Sequence, residues 1–262
     1  MIDQRIARFA PRASKDISYR ETGAGQALVL MHGIGSSSAS WLNQLETLEG
    51  YRLIAWDAPG YGGSEFLKNE KPMPHDYAEA LHAFLDRLIL KDVVIVANSL
   101  GCLMAGAYAA AHPERIRSMI LLDPAAGHAG DESKQRERLK QFEELGPEGL
   151  AEKRSPLVVG KNSPREAVEL MAWTQRRIRP PGYRQAIHCL VHGNLAEDAR
   201  RFRKKVLVLC GSEDTVTPEA SCKAVAAAFP RAEYRSLPGL GHVPHMEAPA
   251  TVNALITGFV SS

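Results

Sequence analysis

The stretch Asp92-Val-Val-Ile-Val-Ala97-Asn98-Ser99-Leu100-Gly101 decides the fold. Residues 92–97 form the nearly uniform apolar run that a strand covered on both faces requires. Residues 100–112 are small and apolar throughout, which predicts a buried helix, and Pro113 follows it. Ser99 therefore falls at a tight strand-to-helix turn. Such a turn strains the backbone and lifts the hydroxyl clear of the sheet. Its flanking positions must be small because backbones crowd there, and Ala97 and Gly101 fit that need. The first N–H groups of the helix, at its positive dipole end, face whatever reacts at Ser99. The plain alternative is a helix cap at Asn98 or Ser99.

Working outward, the same rhythm of apolar run and helix repeats. Ala27-Leu-Val-Leu-Met-His32, Tyr51-Arg-Leu-Ile-Ala-Trp56, Ser118-Met-Ile-Leu-Leu-Asp123 and Lys205-Val-Leu-Val-Leu-Cys210 read as further buried strands. Residues 6–10 and 17–21 suggest a leading antiparallel pair, and 232–237 a final strand. Helices are predicted over 75–90, 218–229 and 249–260. The last two open with Pro, which the first helical turn tolerates. Alternation of this kind implies a parallel sheet with helices on both faces. Residues 125–198 break the rhythm with helical signals (131–145, 163–177, 181–191) and no convincing strand. So long a strandless stretch exceeds what one crossover needs, and it reads as a helical lid between two core segments, 1–124 and 199–262.

Composition bounds the function. With 32 Lys plus Arg against 30 Asp plus Glu, the formal charge of +2 argues against a nucleic-acid partner. No run is long and apolar enough for a membrane span, and the N-terminus lacks the apolar core of a secretory signal. Cys102, Cys189, Cys210 and Cys222 match no zinc spacing. They read as free core thiols, which suits a reducing, cytoplasmic location and leaves no metal site. A homodimer is compatible with the sequence.

Three loops after apolar strands carry the remaining chemistry. His32-Gly33-Ile34-Gly35-Ser36-Ser37-Ser38 is Gly-rich, so its N–H groups can point into a cavity. It lacks the G-x-x-x-x-G-K-[ST] spacing of a nucleotide loop. Ile34 and Leu100 are the candidate donors to an oxyanion, and His32 reads as a loop brace. Cys210-Gly-Ser-Glu-Asp214 offers Asp214 as the acid that would orient an imidazole, with Asp123 and Glu213 as competitors or Asp214 as a mere turn residue. Pro238-Gly-Leu-Gly-His242 offers His242 as the base. His245 is its competitor, better suited to a surface or packing role. The order Ser99, Asp214, His242 is that of one specific triad arrangement.

Together these segments resemble the α/β-hydrolase superfamily, as does Trp56-Asp-Ala-Pro-Gly-Tyr-Gly-Gly-Ser64, a structural turn. The resemblance spans nearly the whole chain. It implies an eight-stranded, mostly parallel sheet, a helical lid after the sixth strand, and a cofactor-free serine hydrolase acting on a small ester or lactone. Asn98 before Ser99 is similar to the meta-cleavage-product hydrolases, which split C–C bonds. Those usually carry Gly, Met and Trp where this chain has Ala97, Leu100 and Val243. Candidate substrate contacts are Gly33, Asn98 and Arg177, the last within a lid group that includes Arg176, Arg179 and Arg184. A binding module on the same fold, or a cofactor-free oxygenase or haloperoxidase-like activity, are the other readings. A nucleophilic Asp, as in epoxide hydrolases and dehalogenases, is not found at the turn.

Overall fold

The computed structural model describes residues 2–262. Eight strands form one sheet: β1 (Arg12–Ser14), β2 (Ile17–Thr22), β3 (Gln26–Met31), β4 (Tyr51–Trp56), β5 (Val93–Asn98), β6 (Ile116–Leu122), β7 (Val206–Gly211) and β8 (Ala232–Leu237). Their order is β1-β2-β4-β3-β5-β6-β7-β8. β2 runs antiparallel to β1 and β4, and the remaining neighbours are parallel. The helices are α1 (Ile2–Ala7), α2 (Leu42–Thr47), α3 (Pro74–Arg87), α4 (Leu100–Ala111), α5 (Glu132–Arg154), α6 (Arg165–Gln175), α7 (Pro180–His192), α8 (Leu195–Ala199), α9 (Glu219–Ala228), α10 (Pro244–Glu247) and α11 (Pro249–Ser261).

The uniform apolar runs are explained by two covered faces. Val29, Met31, Ile95, Ala97, Met119 and Leu121 join one core layer with α3, α4, α8 and α9. Their neighbours Leu28, Leu30, Val94, Val96, Ile120 and Leu122 join the other with α2 and α11. Each buried Val, Leu, Ile or Met side chain among them contributes about 1.5–3 kcal/mol.

Strand order also places a crevice. β3 lies between β4 and β5, so the connections from consecutive strands diverge on either side of it, and ligands bind outside such a switch point. Met31 pairs with Ala97, so β3 and β5 end level and their following loops leave side by side. Gly101 makes the approach possible. A Cβ there would come within 2.6 Å of the Met31 carbonyl oxygen and 2.8 Å of that of His32.

Residues between β6 and β7 form α5 to α8. α5 is broken at Gly146 (φ 61, ψ −176), and Pro147 opens its second stretch. The predicted helix end at 145 thus marks a sharp bend inside a longer element. α8 packs on α4 and α9, with Leu195 and Ala199 in the main core. The expected boundary at 198 therefore falls inside a helix that belongs to the sheet layer.

The N-terminus differs from expectation. Residues 6–10 are not a strand: α1 takes Ile2–Ala7, and the antiparallel partner of β2 is Arg12–Ser14. Ile2, Ile6 and Phe9 recur at helical spacing, and Ile6 is buried against a cluster that includes Leu42, Val158 and Leu170. Arg5 fixes the helix by pairing with Glu46 and Glu166.

Of the two roles expected for His245, surface or packing, the structure shows packing: it is buried, and its ring lies 4.3 Å from that of Trp41. Burial, with the neighbouring His242, lowers its pKa from the ordinary 6.5 to about 3. The folded state therefore excludes a proton that the unfolded chain takes up. The resulting stability is complete above pH 6.5 and lost as pH falls toward 3. Replacing His245 with Phe is expected to flatten the decline in unfolding free energy over that window by about 1.4 kcal/mol per pH unit, measured by urea unfolding at stepped pH.

Candidate active site

Ser99 sits at the end of β5 with φ 52 and ψ −117, a left-handed backbone that costs on the order of 1–3 kcal/mol. Three bonds hold it. Its N–H donates to the Leu122 carbonyl at 3.0 Å, and its own carbonyl accepts from the N–H groups of Cys102 (3.0 Å) and Ala125 (3.2 Å). The side chain is thereby turned out of the sheet toward the loop after β8.

His242 is on that loop. Its Nε2 lies 2.8 Å from Ser99 Oγ and its Nδ1 2.8 Å from Asp214 Oδ2. With Nδ1–H donating to the carboxylate, Nε2 is free to accept the seryl proton. Asp214 Oδ1 accepts from the N–H groups of Val216 (2.7 Å) and Thr217 (3.2 Å), and the Thr217 hydroxyl donates to Oδ2 at 2.6 Å. Burial alone would raise the Asp214 pKa. The hydrogen bond and charge of His242, then Thr217 and Val216, outweigh it and bring the pKa to about 2.

The competing carboxyls occupy other places. Asp123 is buried at the end of β6, where it accepts from the Gly211 N–H at 2.8 Å. Burial, followed by the charge of Asp214, pushes its pKa well above the usual carboxylate range. Glu213 instead accepts from the Lys161 N–H at 2.7 Å. Of the three, Asp214 is the one bonded to the imidazole.

The histidine loop is held from several sides. Its own N–H donates to the Val158 carbonyl at 2.8 Å, and the Asn98 amide donates to its carbonyl at 3.0 Å. The buried Glu247 carboxylate collects the N–H groups of Gly160 (2.8 Å), Gly241 (2.8 Å) and Val243 (3.1 Å) and the Ser163 hydroxyl. Gly211 lets the β7 and β8 loops touch, since a Cβ there would lie 2.0 Å from the Gly241 oxygen. On the other side, His32 braces its loop as expected. Nδ1 meets the Gly33 carbonyl at 2.8 Å and Nε2 accepts from the Ala58 N–H at 3.1 Å. Chiefly because it is buried, its pKa is lowered. The N–H groups of Ile34 and Leu100 have no acceptor among the described residues.

A cavity of about 140 Å³ opens on Ser99 and His242, with Ile34 in its wall. Leu150, Met171, Ile178 and Leu190, all from the segment between β6 and β7, roof it. Three candidate contacts do not line it. Gly33 packs behind Ser99, and the Asn98 amide is turned to the carbonyls of Leu122 and His242. The Arg177 guanidinium stacks 3.6 Å above the Trp173 ring and faces Asp3. Arg176 pairs with Glu148, Arg179 reaches the carbonyls of Gly62 and Ser64, and Arg184 is exposed. The cavity's cations are instead Arg138 and Arg154. Sequence reasoning missed these and Thr217. Arg138 is one of several cations in 134–140 and does not stand apart from a solvated face. The Asp-x-x-Thr spacing of Asp214 and Thr217 was the available signal for the latter.

Comparison with known proteins identifies the family. A sequence profile of the family described as alpha/beta hydrolase fold matches residues 26–249. This chain belongs to that family. Among α/β-hydrolase relatives, it is 31% identical over 134 residues to the 2-hydroxy-6-oxo-6-phenylhexa-2,4-dienoate hydrolase of Comamonas testosteroni, a match covering 47% of each protein. It is 26% identical to Lipase 1 of Psychrobacter immobilis over 94% of this chain and 81% of that one. A solved thermophilic esterase from Thermogutta terrifontis superposes with a TM-score of 0.83 at 25% identity, covering 94% of this chain and 93% of that chain. The protein is thus a hydrolase of the α/β fold, related to esterases, lipases and meta-cleavage hydrolases. Among the described residues no helix is long and apolar enough to cross a membrane.

Because Glu247 answers donors from two separate segments, its loss should be felt globally. Glu247→Gln is expected to cost about 2–4 kcal/mol of unfolding free energy, read from urea midpoints, because one amide nitrogen would then face donors.

Proposed function

We propose that the protein is a cofactor-independent serine hydrolase of small carboxylic esters or lactones. One observation carries this reading: an unbroken hydrogen-bond path from Ser99 Oγ through His242 to Asp214, with both links at 2.8 Å, opening on a cavity. In the proposed cycle His242 Nε2 takes the Ser99 proton as Oγ bonds to the substrate carbonyl carbon. The carbonyl oxygen becomes an oxyanion against the N–H groups of Ile34 and Leu100. Collapse breaks the C–O bond, and the leaving oxygen takes the proton from His242. A water then gives its proton to His242 and attacks the acyl-enzyme, freeing the acid and Ser99. Asp214 stays ionised throughout and stabilises the imidazolium, in keeping with its low pKa. Thr217 and Asn98 position this pair, and α5 to α7 act as the lid.

Cavity size favours a small acyl group. About 140 Å³ is room for a benzene-sized molecule, which suits a short ester better than a long lipid chain or an aryl dienoate. The C–C alternative draws on Asn98 and on the similarity to the Comamonas enzyme.

Ser99→Ala is expected to abolish both labelling by a fluorophosphonate and hydrolysis of p-nitrophenyl acetate. Asp214→Asn should lower kcat by roughly 10⁴-fold, because the imidazole would adopt the wrong tautomer. Labelling that persists in the Ser99 variant excludes Ser99 as nucleophile. In a rate comparison across p-nitrophenyl acetate, butyrate, octanoate and a ring-fission dienoate, the short esters should lead. A dienoate turned over faster than any ester would transfer the assignment to C–C cleavage.

A further inference from the structure

Arg138 and Arg154 stand sixteen positions apart on α5, yet both line the cavity that holds Ser99. The break at Gly146 and Pro147 lets the two stretches of the helix fold toward one another. Arg154 Nη1 donates to the Gln141 side chain at 3.0 Å, and Arg138 lies beside the Tyr183 hydroxyl. Among the described residues neither guanidinium pairs with a carboxylate. Three other arginines of the insertion do: Arg165 with Glu169, Arg176 with Glu148 and Arg177 with Asp3. Among the described residues the cavity wall contains no Asp or Glu. Two like charges are thus held at one cavity with no carboxylate in ion-pair contact among the described residues, an arrangement that opposes itself until an anion arrives. The cost is visible at Arg138, whose pKa is lowered by burial and by the charge of Arg154.

The two residues also occupy a definite place along the cavity. A second, outer hollow shares His128, Arg138, Arg154, Val158 and Val216 with it. The arginines therefore mark the passage between outside and inside. Farther in, Leu150, Met171, Ile178 and Leu190 leave an apolar space. On the rim of the outer hollow, Glu137 faces Lys134 at 3.9 Å; its charge acts on Arg138, but it forms no ion pair with either arginine.

We infer that the substrate is an anion of a specific kind: a small ester or lactone bearing a carboxylate a few atoms from its scissile carbonyl, gripped by Arg138 and Arg154 at the cavity mouth. The planar guanidinium fork matches a carboxylate. This deepens the serine-hydrolase reading above and rests on it. Specificity then comes from the bent α5 and not from the loops that carry Ser99, Asp214 and His242.

The test compares matched substrates. Mono-p-nitrophenyl glutarate is set against p-nitrophenyl valerate for a carboxylate on the acyl side. For one on the leaving group, 4-acetoxybenzoate is set against phenyl acetate. The ratio of kcat/KM for the anionic over the neutral member should favour the anion in at least one pair. It should fall about ten-fold or more in Arg138→Gln and in Arg154→Gln, mainly through KM, and be largely kept in the Lys variants. With the unaltered protein, added salt should raise KM for the anionic ester alone. Ratios that do not move with either arginine or with salt, in both pairs, would overturn the inference. Calorimetric binding of glutarate to Ser99→Ala separates the two readings. Glutarate binding lost on adding Arg138→Gln and Arg154→Gln upholds the anion site even if Ser99 proves not to be the nucleophile. Absence of binding, or binding indifferent to both arginines, counts against the site whatever Ser99 does.

Discussion

The backbone of Ser99 is bent into a region that residues with a Cβ avoid, and the sheet is what keeps it there. Its N–H and carbonyl are pinned to Leu122 at the end of β6, Cys102 in the first turn of α4 and Ala125 in the loop after β6. β3 and β5 ending level, and Gly101 admitting α4 against the Met31 and His32 carbonyls, fix where that bend projects. The loops carrying Ile34, Asp214 and His242 need only meet a hydroxyl whose position is already determined. Rigid strands thus do the positioning, and loops supply the chemistry.

Electrostatics divides two neighbouring carboxyls into different roles. Asp214 receives an imidazole, a hydroxyl and two N–H groups and stays charged. Asp123, deeper and beside that charge, meets the Gly211 N–H and is driven toward its neutral form. A site with both ionised would set like charges against each other in a dry interior, so the pair settles on one. The choice of Asp214 over Asp123 thus follows from how many donors each reaches.

Much of this was legible because it depends on local pattern. Apolar runs such as 92–97 identify strands covered on both faces, and the glycines around 33, 101 and 241 mark where backbones crowd. What escaped depends on tertiary contact. Ile2, Ile6 and Phe9 suit a strand or a helix by composition, and only the cluster around Leu42 and Leu170 selects the helix. His245 suits a surface or a packing role until Trp41 is seen against it. Arg177 and Arg138 are equivalent as letters. The bend at Gly146 turns one inward, while the Trp173 ring holds the other outside.

The segment roofing the cavity is tied down near its middle. Val158 bonds to the His242 backbone, and Gly160 shares Glu247 with Gly241 and Val243. Lifting the roof there would drag the imidazole away from Ser99. The passage marked by Arg138 and Arg154 adjoins this anchored stretch, because Val158 lines both hollows. Doorway and reactive centre thus hang on one support, and whatever loosens the first unsettles the second.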